Sequence, residues 1–292
     1  MKTDKQYNLP ESDKDFLKSL PGLDVSFSKP KEEVWNQLSE LISSEEEKAP
    51  VIEKTLQPIK YLRIVYAAAA ILVLMMVSTA FMRFYTKSVT CESGQHLTAF
   101  LPDGSSIELN AGSSIEYHPY WWNQERHVHF EGEGFFKVEK GKSFEVFSSK
   151  GKTVVLGTSF NIFSRKDEYK VTCYTGKVRV ISTASGESAD ILPNQQAIIQ
   201  NNGNVISHTQ QDTNNTILWR EGMFIFTATP INQVLEEIER QFGVSIKTNT
   251  KLSYNYSGNF SREQSIEDVM HTVCLALNLE YKKVNGGYLV SK

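Results

Sequence analysis

Residues 97–117 read LTAFLPDGSSIELNAGSSIEY, and this stretch decides the class of the fold. Leu97, Ala99 and Leu101 fall at every second position; so do Ile107 and Leu109, then Ile115 and Tyr117. Period two is the mark of a strand with one face on a core and one on water. Between the runs stand Pro102-Asp103-Gly104 and Asn110-Ala111-Gly112, residues that supply the fixed and positive φ angles of tight turns.

Reading outward toward the C-terminus, the alternation continues to about Gln200. It pairs Val128 with Phe130, Phe136 with Val138, Phe144 with Val146, Phe160 with Ile162, Val171 with Cys173 and Val178 with Val180. Turn signals at Gly132 to Gly134, Gly151, Gly157, Gly176, Gly186 and Gly203 divide the runs. Many short strands at this spacing predict an all-β domain over residues 90–210, a sandwich, barrel or β-solenoid.

Residues 219–292 repeat themselves. Ile231, Val234, Leu235, Ile238 and Phe242 are matched 35 residues later by Ile266, Val269, Met270, Val273 and Leu277. Each set is one face of a three-turn helix. Thr229 before Pro230, and Ser265, are the expected N-caps; Gly243 and Asn278 are the expected left-handed stops. Strands near Phe224–Phe226, Val244–Ile246, Tyr256–Phe260 and Leu279–Tyr281 flank the helices, and Tyr288–Val290 closes the chain. The expectation is an α+β domain of two β-α-β units, their helices on one small shared sheet.

Reading outward the other way, residues 64–82 (IVYAAAAILVLMMVSTAFM) hold no formal charge. As a helix these 19 residues cover about 28 Å, close to the ~30 Å hydrocarbon core of a bilayer. Tyr61 and Tyr66 lie near one end, Phe84 and Tyr85 near the other, where interfacial aromatics sit. The segment starts too deep in the chain for a secretory signal and lacks an A-x-A-like site, so residues 63–83 are expected to form one retained transmembrane helix. Lys54, Lys60 and Arg63 before it outnumber Arg83 and Lys87 after it, a slight bias toward a cytoplasmic N-terminus.

Residues 1–60 are predicted to carry two short helical segments, Ser12 to Leu20 and a second from Pro30. In the second, Glu32 and Glu33 favour the first turn, and Val34, Trp35, Leu38, Leu41 and Ile42 form one apolar stripe. Residues 43–50, SSEEEKAP, read as a linker. So short a region buries little of its own surface; either it is marginally folded or the stripe docks on another protein.

The net charge of −3 gives no footprint for direct nucleic-acid binding. Cys91, Cys173 and Cys274 lack metal-type spacing; in an oxidising compartment they allow one disulfide, of undetermined pairing, and leave one thiol. No nucleotide, zinc-protease or nucleophile-elbow motif is present, so no catalytic residue, cofactor or metal is assigned and no enzyme is expected. His127 and His129 share a strand face, but the alternation turns Val128 and Phe130 to the core and both histidines to solvent, with no third ligand near. Trp121 and Trp122 are read as packing a loop edge, ahead of lining a sugar site.

Five blocks carry a family resemblance: LPDGSSIELNAGSSIEY from Leu101, ERHVHFEGEGFFKVEKGKSFEV from Glu125, VVLGTSFNI from Val154, VTCYTGKVRV from Val171 and ILPNQQAII from Ile191. In order and spacing they resemble the periplasmic domain of the FecR family of membrane anti-sigma factors. WREGMFIFTATPINQVLEEIERQFGVSI from Trp219 resembles the segment that follows it in FecR-like proteins of Bacteroidetes. The repeat resembles their C-terminal domain, itself similar to the short domain of secretins and TonB-dependent receptors. KPKEEVWNQL from Lys29 is similar to their cytoplasmic stretch. The family usually has alanine at Gly134, and the glycine is expected only to loosen packing.

The resemblance implies a multidomain inner-membrane protein: a short α-helical cytoplasmic region, one transmembrane helix, an all-β periplasmic domain and the α+β domain. It implies that residues 1–60 hold an extracytoplasmic-function sigma factor, with Val34, Trp35, Leu38, Leu41 and Ile42 as candidates for the contact. It also implies that the periplasmic part meets the signalling domain of a TonB-dependent outer-membrane receptor, with release of the sigma factor by regulated proteolysis. Lipid would meet the chain at the one helix. The competing expectation is a cell-envelope adhesive or assembly module without a transcriptional role. Third is carbohydrate binding through Trp121 and Trp122.

Overall fold

The computed structural model describes residues 29–46, 59–210, 213–249 and 252–292. The expected segment from Ser12 to Leu20 lies outside the described residues. Two compact units divide at Tyr66 and Ala67.

The first unit contains helix α1, Lys31–Glu46, and the start of helix α2, Ile59–Phe84. The rest of α2 belongs to the second unit, which holds all the strands.

Thirteen strands form one β sheet that folds over on itself. One half runs β1 (Lys87–Cys91), β4 (Ser113–Tyr117), the first part of β5 (Arg126–Lys137), β6 (Phe144–Phe147), β7 (Gly151–Val155), β10 (Val178–Ser182) and β11 (Ser188–Ile191). The other half runs β2 (Leu97–Phe100), β3 (Ser106–Leu109), the second part of β5, β8 (Ser159–Arg165), β9 (Glu168–Cys173), β12 (Gln195–Ile199) and β13 (Val205–Thr209). At the far end β11 lies against β12 and β13, so the sheet is nearly closed and barrel-like.

β5 is the strand both halves share. Its Val128 faces Tyr117 and Val146 as register partners; its Phe136 faces Ile107 and Phe160. The change of partners falls at Gly132, where φ is +113° and an added Cβ would stand 2.6 Å from the Ser113 Cα. Only glycine takes that turn without a clash. Ser113 fixes the bend: its hydroxyl donates to the Glu133 carbonyl oxygen at 3.0 Å and accepts from the Glu133 amide at 2.9 Å.

The core follows the alternation. Ile107, Leu109, Ile115, Tyr117, Val128, Phe130, Phe136, Phe144, Phe160, Ile162, Val171 and Val178 are all buried between the halves, while Leu97 is exposed. Phe136 stacks on Phe160 with centroids 5.0 Å apart and meets Phe130 edge-on at 5.1 Å. Each such ring contributes about 1.5–3 kcal/mol by leaving water. Gly134 lies beneath Phe130: an added Cβ would be 3.1 Å from the ring and 3.2 Å from the Glu108 carbonyl oxygen. The glycine admits the ring closely, where looser packing was expected.

Trp122 is buried against Tyr117 and Phe144, with centroids at 5.7 and 5.8 Å. It anchors the β4–β5 loop from inside and lines no sugar site. Cys91, Cys173 and Cys274 are free and buried, and burial raises each thiol's pKa.

A 3-10 turn, Thr213–Glu221, leads into the α+β part. Its order is β14 (Met223–Pro230), α3 (Ile231–Phe242), β15 (Ser245–Thr248), β16 (Asn255–Ser261), α4 (Ile266–Ala276), β17 (Glu280–Val284) and β18 (Gly287–Ser291). Two β-α-β units are present, but they do not share one sheet. β14 pairs with β16 in a two-stranded sheet, while β15, β18 and β17 form a second. The helices bury Ile231, Val234, Leu235 and Ile238, and Val269, Met270 and Val273, in a common core. Ser265 caps α4 by accepting from the Asp268 amide at 3.1 Å. Thr229 does not cap α3; the N-cap residue is Pro230, with no side-chain hydrogen bond. Gly243 and Asn278 adopt the left-handed conformation expected of them.

Candidate functional site

α1 begins where Pro30 offers its carbonyl to the amides of Glu33 at 3.0 Å and Val34 at 3.3 Å. The hydroxyls of Ser39, Ser43 and Ser44 donate to carbonyls three residues back, those of Asn36, Glu40 and Leu41. The helix runs through Ser43 and Ser44 to Glu46, residues that read as linker in the sequence. Val34, Trp35, Leu38, Leu41 and Ile42 come together along one face, and all five are exposed, Trp35 at 69%. Among the described residues, nothing covers the sequence-predicted stripe, which stands as an open apolar face.

In α2, Tyr61–Phe84 is a 24-residue segment of about 36 Å at 1.5 Å per residue, charged only at Arg63 and Arg83, with its large apolar side chains exposed. It is long and apolar enough to cross a membrane once. Only Tyr85 and Thr86 separate it from β1.

A second candidate feature lies within residues 87–292, where the α+β part packs on the outer face of β3, β5 and β8. Alternation along β5 sends Phe136 into the barrel and Phe135 into the other core. Arg220 lies 4.1 Å from the Phe135 ring centroid and makes a two-pronged pair with Glu108 at 2.6 and 2.8 Å.

Beside Phe135 stands Glu133, the centre of a polar chain. Asn110 Nδ2 donates to one of its oxygens at 2.9 Å and Asn161 Nδ2 to the other at 3.2 Å. Asn161 accepts from the indole of Trp219 at 3.3 Å. Asn110 accepts from buried Gln241 at 2.8 Å, and Gln241 also donates to Glu237 at 2.7 Å. The Gln241 oxygen can only accept, so His96, 3.1 Å away, carries its proton on Nε2. Desolvation, then the nearby Glu237, raises the Glu133 pKa to about 7 against the pull of Arg165. Burial, then Arg262, lowers that of His96.

These hydrogen bonds join β5, β8 and the turn after β3 to Trp219 and to Glu237 and Gln241 of α3. Among the described residues, no group of three or more His, Cys, Asp and Glu side chains is placed to hold a metal. His127 is half-buried and His129 exposed.

Sequence reading missed this cluster. Its one local trace is Glu133 set between two glycines, with Glu237 and Gln241 one helical turn apart.

The family model described as "FecR protein" matches residues 87–179, and that described as "FecR, C-terminal" matches residues 223–290. No curated protein matches the chain. Two crystal structures, each of a candidate anti-sigma factor from Parabacteroides distasonis ATCC 8503, are similar to it. One is 27% identical, covers 71% of this chain and 99% of its own, and has a TM-score of 0.64. The other is 28% identical, covers 70% and 99%, and has the same TM-score of 0.64. These likenesses support a regulatory role. With the two family domains in series over 93 and 68 of its 292 residues, more than half its length, the chain belongs to the FecR family.

Proposed function

We propose that this chain is a single-pass inner-membrane anti-sigma regulator, with its N-terminus in the cytoplasm and residues 87–292 in the periplasm. α2 is the span. α1 holds an extracytoplasmic-function sigma factor, and the α+β domain receives the signalling domain of a TonB-dependent outer-membrane receptor. The observation that carries the reading is the open face of Val34, Trp35, Leu38, Leu41 and Ile42 on α1. Five apolar side chains at helical spacing favour insertion into a groove on a partner. The FecR domains and the likeness to candidate anti-sigma factors point to what that partner is. On the receptor side, β15 and β17 are the outer strands of the three-stranded sheet, and unpaired strand edges accept an added strand.

The test is transcription in the native host. Deleting residues 1–60 while keeping the span and all that follows should derepress a small set of genes under one sigma factor. Unchanged transcription would instead favour an envelope module with a passive N-terminal tail.

A further inference from the structure

We propose that the β4–β5 loop, residues 118–125, is a second membrane contact: it lies in the lipid headgroup layer beside the exit of α2 and seats the β domain on the bilayer. The inference rests on the reading of α2 as a membrane span.

Chain length keeps the loop close to that layer, and its contacts with α2 hold it there. The charge-free run ends at Met82, α2 ends at Phe84 and β1 starts at Lys87. From Phe84 to Lys87 is three Cα–Cα steps, at most about 11 Å. The headgroup layer on each side of the hydrocarbon is about 5–8 Å thick. Lys87 pairs with Tyr117, the last residue before the loop, so the loop starts at the same height.

The loop's chemistry fits that layer. Tyr120 is 54% exposed, yet its ring joins those of Phe81 and Tyr85, with centroids 6.3 and 5.4 Å away. Phe81 and Tyr85 are themselves 5.4 Å apart. The apolar surface of α2 thus continues sideways onto the β domain without a break. Tyrosine and tryptophan, with an apolar body and a polar tip, favour this depth.

The loop is also held firmly to the helix. Arg83 lies 5.5 Å from the Trp121 ring centroid and pairs with Glu125 at 3.5 Å. The Tyr85 carbonyl oxygen faces His118 Nδ1 at 3.1 Å, and buried Trp122 pins the loop from within.

The strand register extends the same rim. Arg126, Phe144, Val155, Val178 and Ile191 are successive partners across the sheet, so they mark one end of it. Just beyond Val155 and Ile191 stand exposed Leu156 and Leu192. Lys142 donates to the Asn123 carbonyl oxygen at 3.2 Å, and Lys140 and Lys177 lie near Leu156. Exposed apolar side chains among lysines match the apolar boundary and phosphates of a lipid surface. A protein partner would have to reach the same rim past the headgroups.

The test uses the full chain in nanodiscs of phosphatidylcholine and phosphatidylglycerol. A nitroxide is placed in turn at Tyr120→Cys, at Leu72→Cys within the span, and at Glu187→Cys. Glu187 lies beyond Ser182, at the opposite end of the strands. The unsubstituted chain, whose three cysteines are buried, gives the labelling background. Collision rates with oxygen and with a water-soluble nickel chelate then report depth. The expected oxygen-to-nickel ratio at position 120 is at least about threefold that at 187 and below that at 72. A ratio at 120 equal to that at 187, with 72 lipid-like, overturns the loop contact and leaves the span standing. A water-like ratio at 72 overturns both.

Discussion

Glu133 shows what a single carboxyl does in this molecule. Its folded-state pKa of about 7 stands above the ordinary value of 4.5, so between those values the folded protein keeps a proton that the unfolded chain has released. Stability from this group is therefore full at low pH and is lost as pH rises toward 7. The loss amounts to up to about 3 kcal/mol. His96 works in the opposite sense, since its lowered pKa removes stability as pH falls below about 6.5. The difference between variants separates the two. Glu133→Gln should flatten the decline in stability of residues 87–292 between pH 5 and pH 8, measured by urea unfolding at each pH. A decline as steep as that of the native sequence would show that Glu133 does not carry the proton. Alternation told which side chains point inward at Val128, Phe130 and Phe136. It could not find Glu133's partners, because Asn110, Asn161 and Glu237 are 23, 28 and 104 residues away.

At the scale of elements, β5 organises the fold, because one strand supplies both halves of the sheet and both cores. Gly132 makes this possible. Gly132→Ala should cost at least about 3 kcal/mol, through the positive φ and the collision with the Ser113 backbone. The midpoint and slope of chemical denaturation check this; a change below 1 kcal/mol would mean that the bend is not constrained there. Periodicity located the strands and both C-terminal helices closely, since burial of one face is written into each segment. It did not reveal that β14 pairs with β16 and β15 with β18, because alternation fixes a face and not a neighbour. The same limit applies to α1. Its stripe was legible residue by residue, but whether it packs at home or on a partner depends on atoms that the pattern does not contain.

Across the whole molecule, the order of parts was readable from one end to the other: an apolar stripe, a long apolar helix, an alternating β region and a repeated β-α-β region. The junction of the last two was not, since it is built from single polar residues contributed by distant strands and α3. Gln241 on α3 is joined to Glu133 on β5 through Asn110. Signalling as proposed requires that the open face of α1 hold a sigma factor. The most direct test of this is affinity purification of the full tagged chain from detergent-solubilised host membranes, beside a variant carrying Trp35→Ala and Leu38→Ala. Truncating two large apolar side chains at an interface centre weakens binding by about 100-fold or more. An extracytoplasmic-function sigma factor is expected with the native chain and is expected to be lost from the variant. Absence of a sigma factor from the native chain, or equal recovery from both, would contradict the proposal.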